Sequence, residues 1–280
     1  MDILETIISH KREEVNIRKA GRADSILAQS PFIKNRPLSM RQSLEREGSS
    51  GIIAEFKRLS PSKGPINLEA DVAQVTTGYA EAGASALSVL TDFHFFGGSA
   101  DDLTRARTGN FNIPILRKDF IVDEFQILEA RAMGADVILL IAECLDKWTV
   151  AALAKRAKDL GMEVLLELHD ESQLDKICDG IDMVGVNNRN LKDFSVNVET
   201  SLRLAELLPA GLLKVSESGI SDPETLLMLR NAGYKGFLIG ESFMKTADPG
   251  AACAQFINKI AGRRENPANF TAISNQKGTT

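Results

Sequence analysis

From Gly51 to Ile260 short apolar runs alternate with helix-like stretches, and the pattern repeats eight times. The strand candidates are Gly51–Lys57, Ala86–Thr91, Ile113–Lys118, Asp136–Ala142, Met162–Leu168, Met183–Asn187, Leu212–Glu217 and Gly236–Gly240. The helix-like stretches are Glu69–Ala82, Ser99–Thr108, Glu124–Met133, Asp146–Leu160, Glu171–Ile177, Glu199–Leu208, Pro223–Ala232 and Pro249–Ile260. The phrases EAGASAL, RAMGADVI and NAGYKGFL each put a glycine where a helix ends and a strand begins. Near-continuous apolar strands alternating with helices imply a parallel sheet covered on its faces. Eight such units favour a closed (β/α)8 TIM barrel. The rival is an open doubly wound sheet, which would usually carry a Gly-rich turn after its first strand. That position reads KRLSPSKGPI, without the G-x-G-x-x-G spacing.

Ahead of the first strand, Asp2–Lys19 carries Ile3, Leu4, Ile7, Ile8 and Val15 on roughly one helical face, and Ser39–Glu47 suggests a second, short helix. Residues 1–48 are therefore a helical N-terminal extension expected to cap the barrel mouth, within a single barrel domain of residues 1–262. Residues 263–280 form a polar C-terminal tail. The chain has 280 residues, 44% of them hydrophobic, enough for a substantial core. A formal net charge of -5 gives no reason to expect nucleic-acid binding, although a local site can still favour an anion. Cys144, Cys178 and Cys253 are odd in number and widely spaced, which fits neither a disulfide framework nor a zinc site and suits a reducing cytoplasm. MDILETIISHKREEV is too polar for a secretory signal, and no apolar run is long enough to span a bilayer.

Charges stand at the ends of these apolar runs: Glu55 and Lys57 after IIA, Lys118 in PILRKDF, Glu167 in VLLEL and Glu217 in LLKVSES. A buried charge costs several kcal/mol, roughly, unless it is paired or used. Side chains alternate across a strand, so Glu55 and Lys57 share a face. If Leu116 and Lys118 point into the barrel, so do Leu165 with Glu167, Gly185 with Asn187, and Val215 with Glu217. All lie at C-terminal strand ends, where barrel enzymes build their sites. Two ammonium groups and three carboxylates, with no metal-ligand histidines, equip such a ring for acid–base work; a Schiff-base lysine stays open. The bland alternative is a set of ion pairs plugging the barrel.

SESGI (Ser216 to Ile220) and LIGES (Leu238 to Ser242) follow the last two strands, where barrels often cradle phosphate on backbone N–H groups. Gly219 and Gly240 are placed for that, or for turns that need a positive φ. Glu241 would repel phosphate with its side chain and offer only its N–H. Ser60 lies in SPSKG, which reads as a lid or a solvated loop. Phe93 and Phe96 in TDFHFFGGS, with Phe120 in KDF, would wall an aromatic ligand or pack the loops. Arg189 suits a carboxylate partner or a loop-closing salt bridge. His94 and His169 read as surface or hydrogen-bonded structural residues.

IIAEFKRLSPSKG, SVLTDFHFFGGS, LRKDFIVDEFQI, GVNNRNL, VSESGI and FLIGESFM, in this order, resemble the indole-3-glycerol phosphate synthase family. The likeness runs from ILETIISHKREEV to about Ile260. The resemblance implies a carbon–carbon lyase of tryptophan biosynthesis, acting on 1-(2-carboxyphenylamino)-1-deoxyribulose 5-phosphate by ring closure, decarboxylation and dehydration, without cofactor or metal. It implies catalytic roles for Glu55, Lys57, Lys118, Glu167, Asn187 and Glu217. Lys118 would protonate the ribulose carbonyl oxygen. Lys57, steered by Glu55, would hold the substrate's carboxylate. Glu167 would act as base, and Asn187 and Glu217 would orient the ribulose hydroxyls. Substrate contacts fall to Ser60, Phe93, Phe96, Phe120, Arg189 and Ser218, and phosphate contacts to Lys57, Gly219, Gly240 and Glu241. A small phosphorylated substrate is the implied partner, with neither nucleic acid nor membrane. The expected state is a monomer, with association with other tryptophan-pathway enzymes as a further expected partnership. The alternatives weighed are another phosphosugar barrel enzyme, such as phosphoribosylanthranilate isomerase, and a non-catalytic binding barrel.

Overall fold

The computed structural model describes residues 3–21, 24–191 and 193–264. Its centre is a closed barrel of parallel strands: β1 Ile52–Phe56, β2 Ala86–Leu90, β3 Ile115–Lys118, β4 Val137–Ile141, β5 Glu163–Leu168, β6 Met183–Asn187, β7 Leu213–Glu217 and β8 Gly236–Ile239. Each strand pairs with its sequence neighbours, and β1 closes the ring against β8. The predicted (β/α)8 architecture is present, and the N-terminal helix runs from Ile3 to Gly21. The last helix, Pro249–Arg264, runs beyond Ile260, and residues 265–280, most of the expected tail, lie outside the described residues.

The alternation of side chains divides the core in two. Ile53, Leu116, Leu139, Leu165, Val215 and Leu238 meet inside the barrel. Ile52, Phe56, Val89, Ile138, Leu166 and Phe237 point outward into the layer under the helices. Burying such a side chain contributes roughly 1.5–3 kcal/mol, which is why a register slip would be strongly opposed. Most strand and helix ends shift from the sequence reading by one to four residues, and two differences have a visible cause or change the element type. β3 begins at Ile115 rather than Ile113, because Pro114 has no N–H for the ladder and contributes only its carbonyl, to Leu87 N at 2.9 Å. Glu171–Lys176 is a 3-10 helix capped by Asp170, not an α-helix. The helix-to-strand turns of the three repeated phrases do put Gly83, Gly134 and Gly233 at φ 91, 94 and 94°.

The described residues of the N-terminal extension do not sit at the mouth as one piece. The helix Ile3–Gly21 crosses the C-terminal side, where Ile3, Leu4 and Ile7 line the cavity described below. The short helix Met40–Glu45 instead plugs the opposite end, because Met40 and Leu44, four residues apart on one face, enter the barrel's interior cluster. Glu163, at the start of β5, accepts from Met40 N (2.8 Å) and Arg41 N (3.0 Å) and thereby satisfies the first N–H groups of that helix.

Candidate active site

The strand ends deliver their charges to one floor. Lys118 Nζ lies 2.9 Å from Glu167 Oε2 and 3.2 Å from Glu217 Oε2, so β3, β5 and β7 meet at a single ammonium group. Asn187, at the end of β6, donates from Nδ2 to Glu167 Oε1 at 3.0 Å. On β1 and just beyond it, Lys57 Nζ donates to Glu55 Oε1 at 2.7 Å. Glu55, Glu167 and Glu217 are all buried. Arg117, beside Lys118, points the other way: it is buried under the helix Glu124–Met133, donating to Thr91 Oγ1, Gln126 O and Asp119 Oδ2.

Electrostatics separates the two carboxyls that share Lys118. Burial alone would raise Glu167, but the Lys118 ammonium, His169 and the Asn187 amide hold it down at about 2. Burial pushes Glu217 up to about 8; Lys118 opposes that shift and the Glu167 carboxylate adds to it. Burial would lower Lys118, yet Glu167, Glu217 and Glu55 together raise it well above the usual lysine range. Gly185 on β6 makes room for this group: a Cβ there would sit 2.2 Å from Glu217 Oε1. The sequence signal for it was a glycine inside a strand, which often marks close approach.

Above the floor is a cavity of about 400 Å³, within the range of small-molecule sites. Phe96 and Phe120 form one wall with ring centroids 6.0 Å apart, and the first helix closes over it with Ile3, Leu4 and Ile7. Phe93 does not line the cavity: it is 76% exposed. Asp92 caps the one-turn helix Phe93–Phe96 by accepting from Phe95 N; at the end of that turn Phe96 is half-buried against Phe120, whereas Phe93 at its start faces outward. Phe95 turns to a cluster with His10 and His94. Ser60 is buried at the cavity edge in a small hairpin that pairs Leu59 with Pro65 and Ser60 with Gly64, so SPSKG is an ordered turn.

At the far side, Ser218 and Gly219 both adopt positive φ, 67° and 77°. For serine that conformation costs on the order of 1–2 kcal/mol. Asn188 holds the turn: its Nδ2 donates to Ser218 O at 3.0 Å, while its Oδ1 accepts from Ser201. Gly240 has φ -126°, so its lack of a side chain serves another purpose: a Cβ would come within 2.7 Å of Glu55 Oε1. Glu241 turns its carboxylate toward Arg189 Nη2 (3.7 Å) and Lys63 Nζ (4.0 Å), two cations that also line the cavity. The sequence reading places Gly185 on the inward face, Lys63 in the SPSKG loop and Asn188 at the end of strand six, but gives none of the three a role in the site. Among the described residues no group of three or more His, Cys, Asp or Glu side chains is arranged to hold a metal ion, and no helix is long and apolar enough to cross a membrane.

Comparison with known proteins agrees with this geometry. The pattern that defines the family described as indole-3-glycerol phosphate synthase matches residues 4–256. A protein of that name from Bacteroides thetaiotaomicron is 51% identical over 261 residues, covering 92% of this chain and 99% of its own length. Another, from Laribacter hongkongensis, is 45% identical, covering 90% and 98%. A crystal structure of 3-hexulose-6-phosphate synthase superposes with a TM-score of 0.60 at 16% identity, over 75% of this chain and 99% of that one, a likeness of fold alone. With nearly its whole length matched by the family pattern and half its residues identical to a relative of full length, the chain belongs to the indole-3-glycerol phosphate synthase family.

Proposed function

We propose that this protein converts 1-(2-carboxyphenylamino)-1-deoxyribulose 5-phosphate to indole-3-glycerol phosphate, carbon dioxide and water. The observation that carries the reading is Lys118, held between Glu167 and Glu217 at the bottom of the cavity. Ring closure joins the aryl carbon that bears the carboxylate to the ribulose carbonyl carbon, and negative charge develops on the carbonyl oxygen. The Lys118 proton neutralises it. Loss of carbon dioxide then restores the aromatic ring. Departure of the hydroxyl as water needs a proton delivered to oxygen and one removed from the neighbouring carbon. Lys57, fixed by Glu55, is the donor for that step, and Glu167, kept ionised and oriented by Asn187, is the base. Phe96, Phe120 and the first helix exclude water from the aryl ring. Lys57 and Arg189 receive the carboxylate. The Ser218–Gly219 turn, Gly240 and the N–H of Glu241 receive the phosphate together with Lys57, and Ser60, at the cavity edge, contacts the substrate.

On this reading the catalytic unit is the single barrel of residues 1–262, with 263–280 outside the chemistry. It works in the cytoplasm, where its free cysteines stay reduced, as a monomer that associates with other enzymes of tryptophan biosynthesis. Supplying the purified protein with the carboxyphenylamino-deoxyribulose phosphate and following indole fluorescence tests the reading. Appearance of the indole product supports it; a well-folded protein that gives none refutes it.

A further inference from the structure

Glu217 differs from the other buried carboxylates of the site. Glu167 accepts from both Lys118 and Asn187, and Glu55 accepts from Lys57. Glu217 meets Lys118 as an ion pair at 3.2 Å, but neither of its oxygens sits in good hydrogen-bond geometry with a donor among the described residues, although the residue is only 1% exposed. The groups facing it are Lys118 from β3, 3.2 Å away, Glu167 from β5 across that same ammonium, and Gly185 from β6, which brings no side chain at all. From β1, Glu55 also bears on Lys118, but it is matched by Lys57. Two carboxyls thus compete for one positive charge in a buried place, and the better-bonded one, Glu167, has the stronger claim to stay ionised.

This arrangement bears on the acid. An ammonium between two carboxylates holds its proton tightly, which makes it a poor donor. We propose that Glu217 keeps a proton in the resting enzyme, and that this neutral carboxyl leaves Lys118 opposite one negative charge instead of two and so lets it act as the acid of ring closure. The inference rests on the synthase reading for the role of Lys118, but the protonation state stands apart from it. Burial and the Glu167 carboxylate, which push Glu217 up to about 8 against the pull of Lys118, agree with the geometry. Glu217 is then a tuning group for Lys118 as well as a contact for the substrate.

The test begins on the free protein, without substrate. An infrared difference spectrum of wild type against Glu217→Gln at neutral pH should contain a carboxylic-acid C=O band, lost from wild type as pH rises through about 8. Should the variant fail to fold, unsubstituted protein labelled with carbon-13 glutamate should show one carboxyl resonance titrating far above the ordinary range. In turnover, normalised kcat of wild type should fall on the alkaline side as Glu217 ionises, and the variant should lack that limb whatever its absolute rate. Absence of both the band and the high-titrating resonance would overturn the proposal, as would an alkaline limb with the same midpoint in Glu217→Gln. A band present in a protein with no synthase activity would leave the protonation state standing and refute the reaction instead.

Discussion

Replacing Lys11 with methionine should cost this protein a large part of its stability, although the site is outside the reacting floor. Leu4, Ile7, Lys11 and Val15 are the buried positions of the first helix, so a lysine occupies the apolar stripe. Its Nζ is 2.8 Å from Asp92, 3.1 Å from Asp119 and 2.9 Å from Glu14. Asp92 caps the turn that carries Phe96, and Asp119 follows Lys118 directly and accepts from Phe120 N. Lys11 therefore ties the helix to both segments that shape the cavity wall. Methionine fills similar volume but leaves Asp92 and Asp119 buried without it. Breaking a buried pair from one side costs about 3–5 kcal/mol. Asp119 keeps Arg117 at 2.9 Å, which places the expectation near ~3 kcal/mol, a sizeable share of the ~5–15 kcal/mol of a typical domain. Urea unfolding followed by circular dichroism measures it, and KM should rise because Ile3, Leu4 and Ile7 lose their seat. The pH dependence supplies a sign. Burial would lower Lys11, but Asp119 and Asp92 push it up to about 12, so its contribution is complete below 10.5 and fades only as pH rises through about 12. Asp119 is held far below the usual carboxylate range: burial opposes this, and Arg117 and Lys11 outweigh it. Its contribution is present at neutral pH and fades as pH falls into the acid range, so the gap between wild type and variant should narrow there. A destabilisation under ~1 kcal/mol with unchanged KM would refute the reasoning, since it would mean that neither carboxylate depends on Lys11.

Three further outcomes follow from single contacts. Gly185→Ala puts a Cβ 2.2 Å from Glu217 Oε1, so that carboxyl must swing away from Lys118; kcat should fall by about tenfold or more while stability changes by no more than ~1–3 kcal/mol, and an unaltered kcat would show that the position of Glu217 is immaterial. Glu217→Gln should flatten part of the stability profile: a carboxyl raised from 4.5 to about 8 binds a proton in the folded state that the unfolded chain has lost, so wild type loses stability as pH climbs across that window and the glutamine variant does not, as urea midpoints at several pH values will show. Glu241→Ser removes a negative charge beside Arg189 and Lys63 and should lower KM by about two- to fivefold, the scale of a partly exposed pair; a higher KM would mean that Glu241 is needed to hold Arg189 in place.

The barrel was readable because parallel strands covered on both sides must be short apolar runs, and eight runs separated by helices leave few other closures. The floor was readable for the same reason: a charge that ends such a run has to be explained, and strand parity places Lys118 and Glu167 on the same side. Arg117 shows how narrow that margin is, since it stands one residue from Lys118 and belongs to a different layer. What depended on contacts distant in sequence was not readable. The fate of three nearby phenylalanines turned on one cap at Asp92 and on the first helix, whose His10 stacks on His94 and meets Phe95. The helices Ile3–Gly21 and Met40–Glu45 part because Met40 and Leu44 fit the closed end of the barrel, a match visible only once the strands are assembled. Gly185, inside β6, and Gly240, just past β8, are each explained by the glutamate on another strand that fills the missing side chain's space.

The central claim is that Lys118, fixed by Glu167 and Glu217, supplies the proton for ring closure. Its most direct test is Lys118→Ala, with turnover and substrate dissociation constant measured on the same folded preparation. The account predicts a fall in kcat of about 10²–10⁴ with the dissociation constant changed only a few fold, because Lys57, Arg189 and the phosphate-facing turns still hold the substrate. A kcat like that of wild type would contradict it.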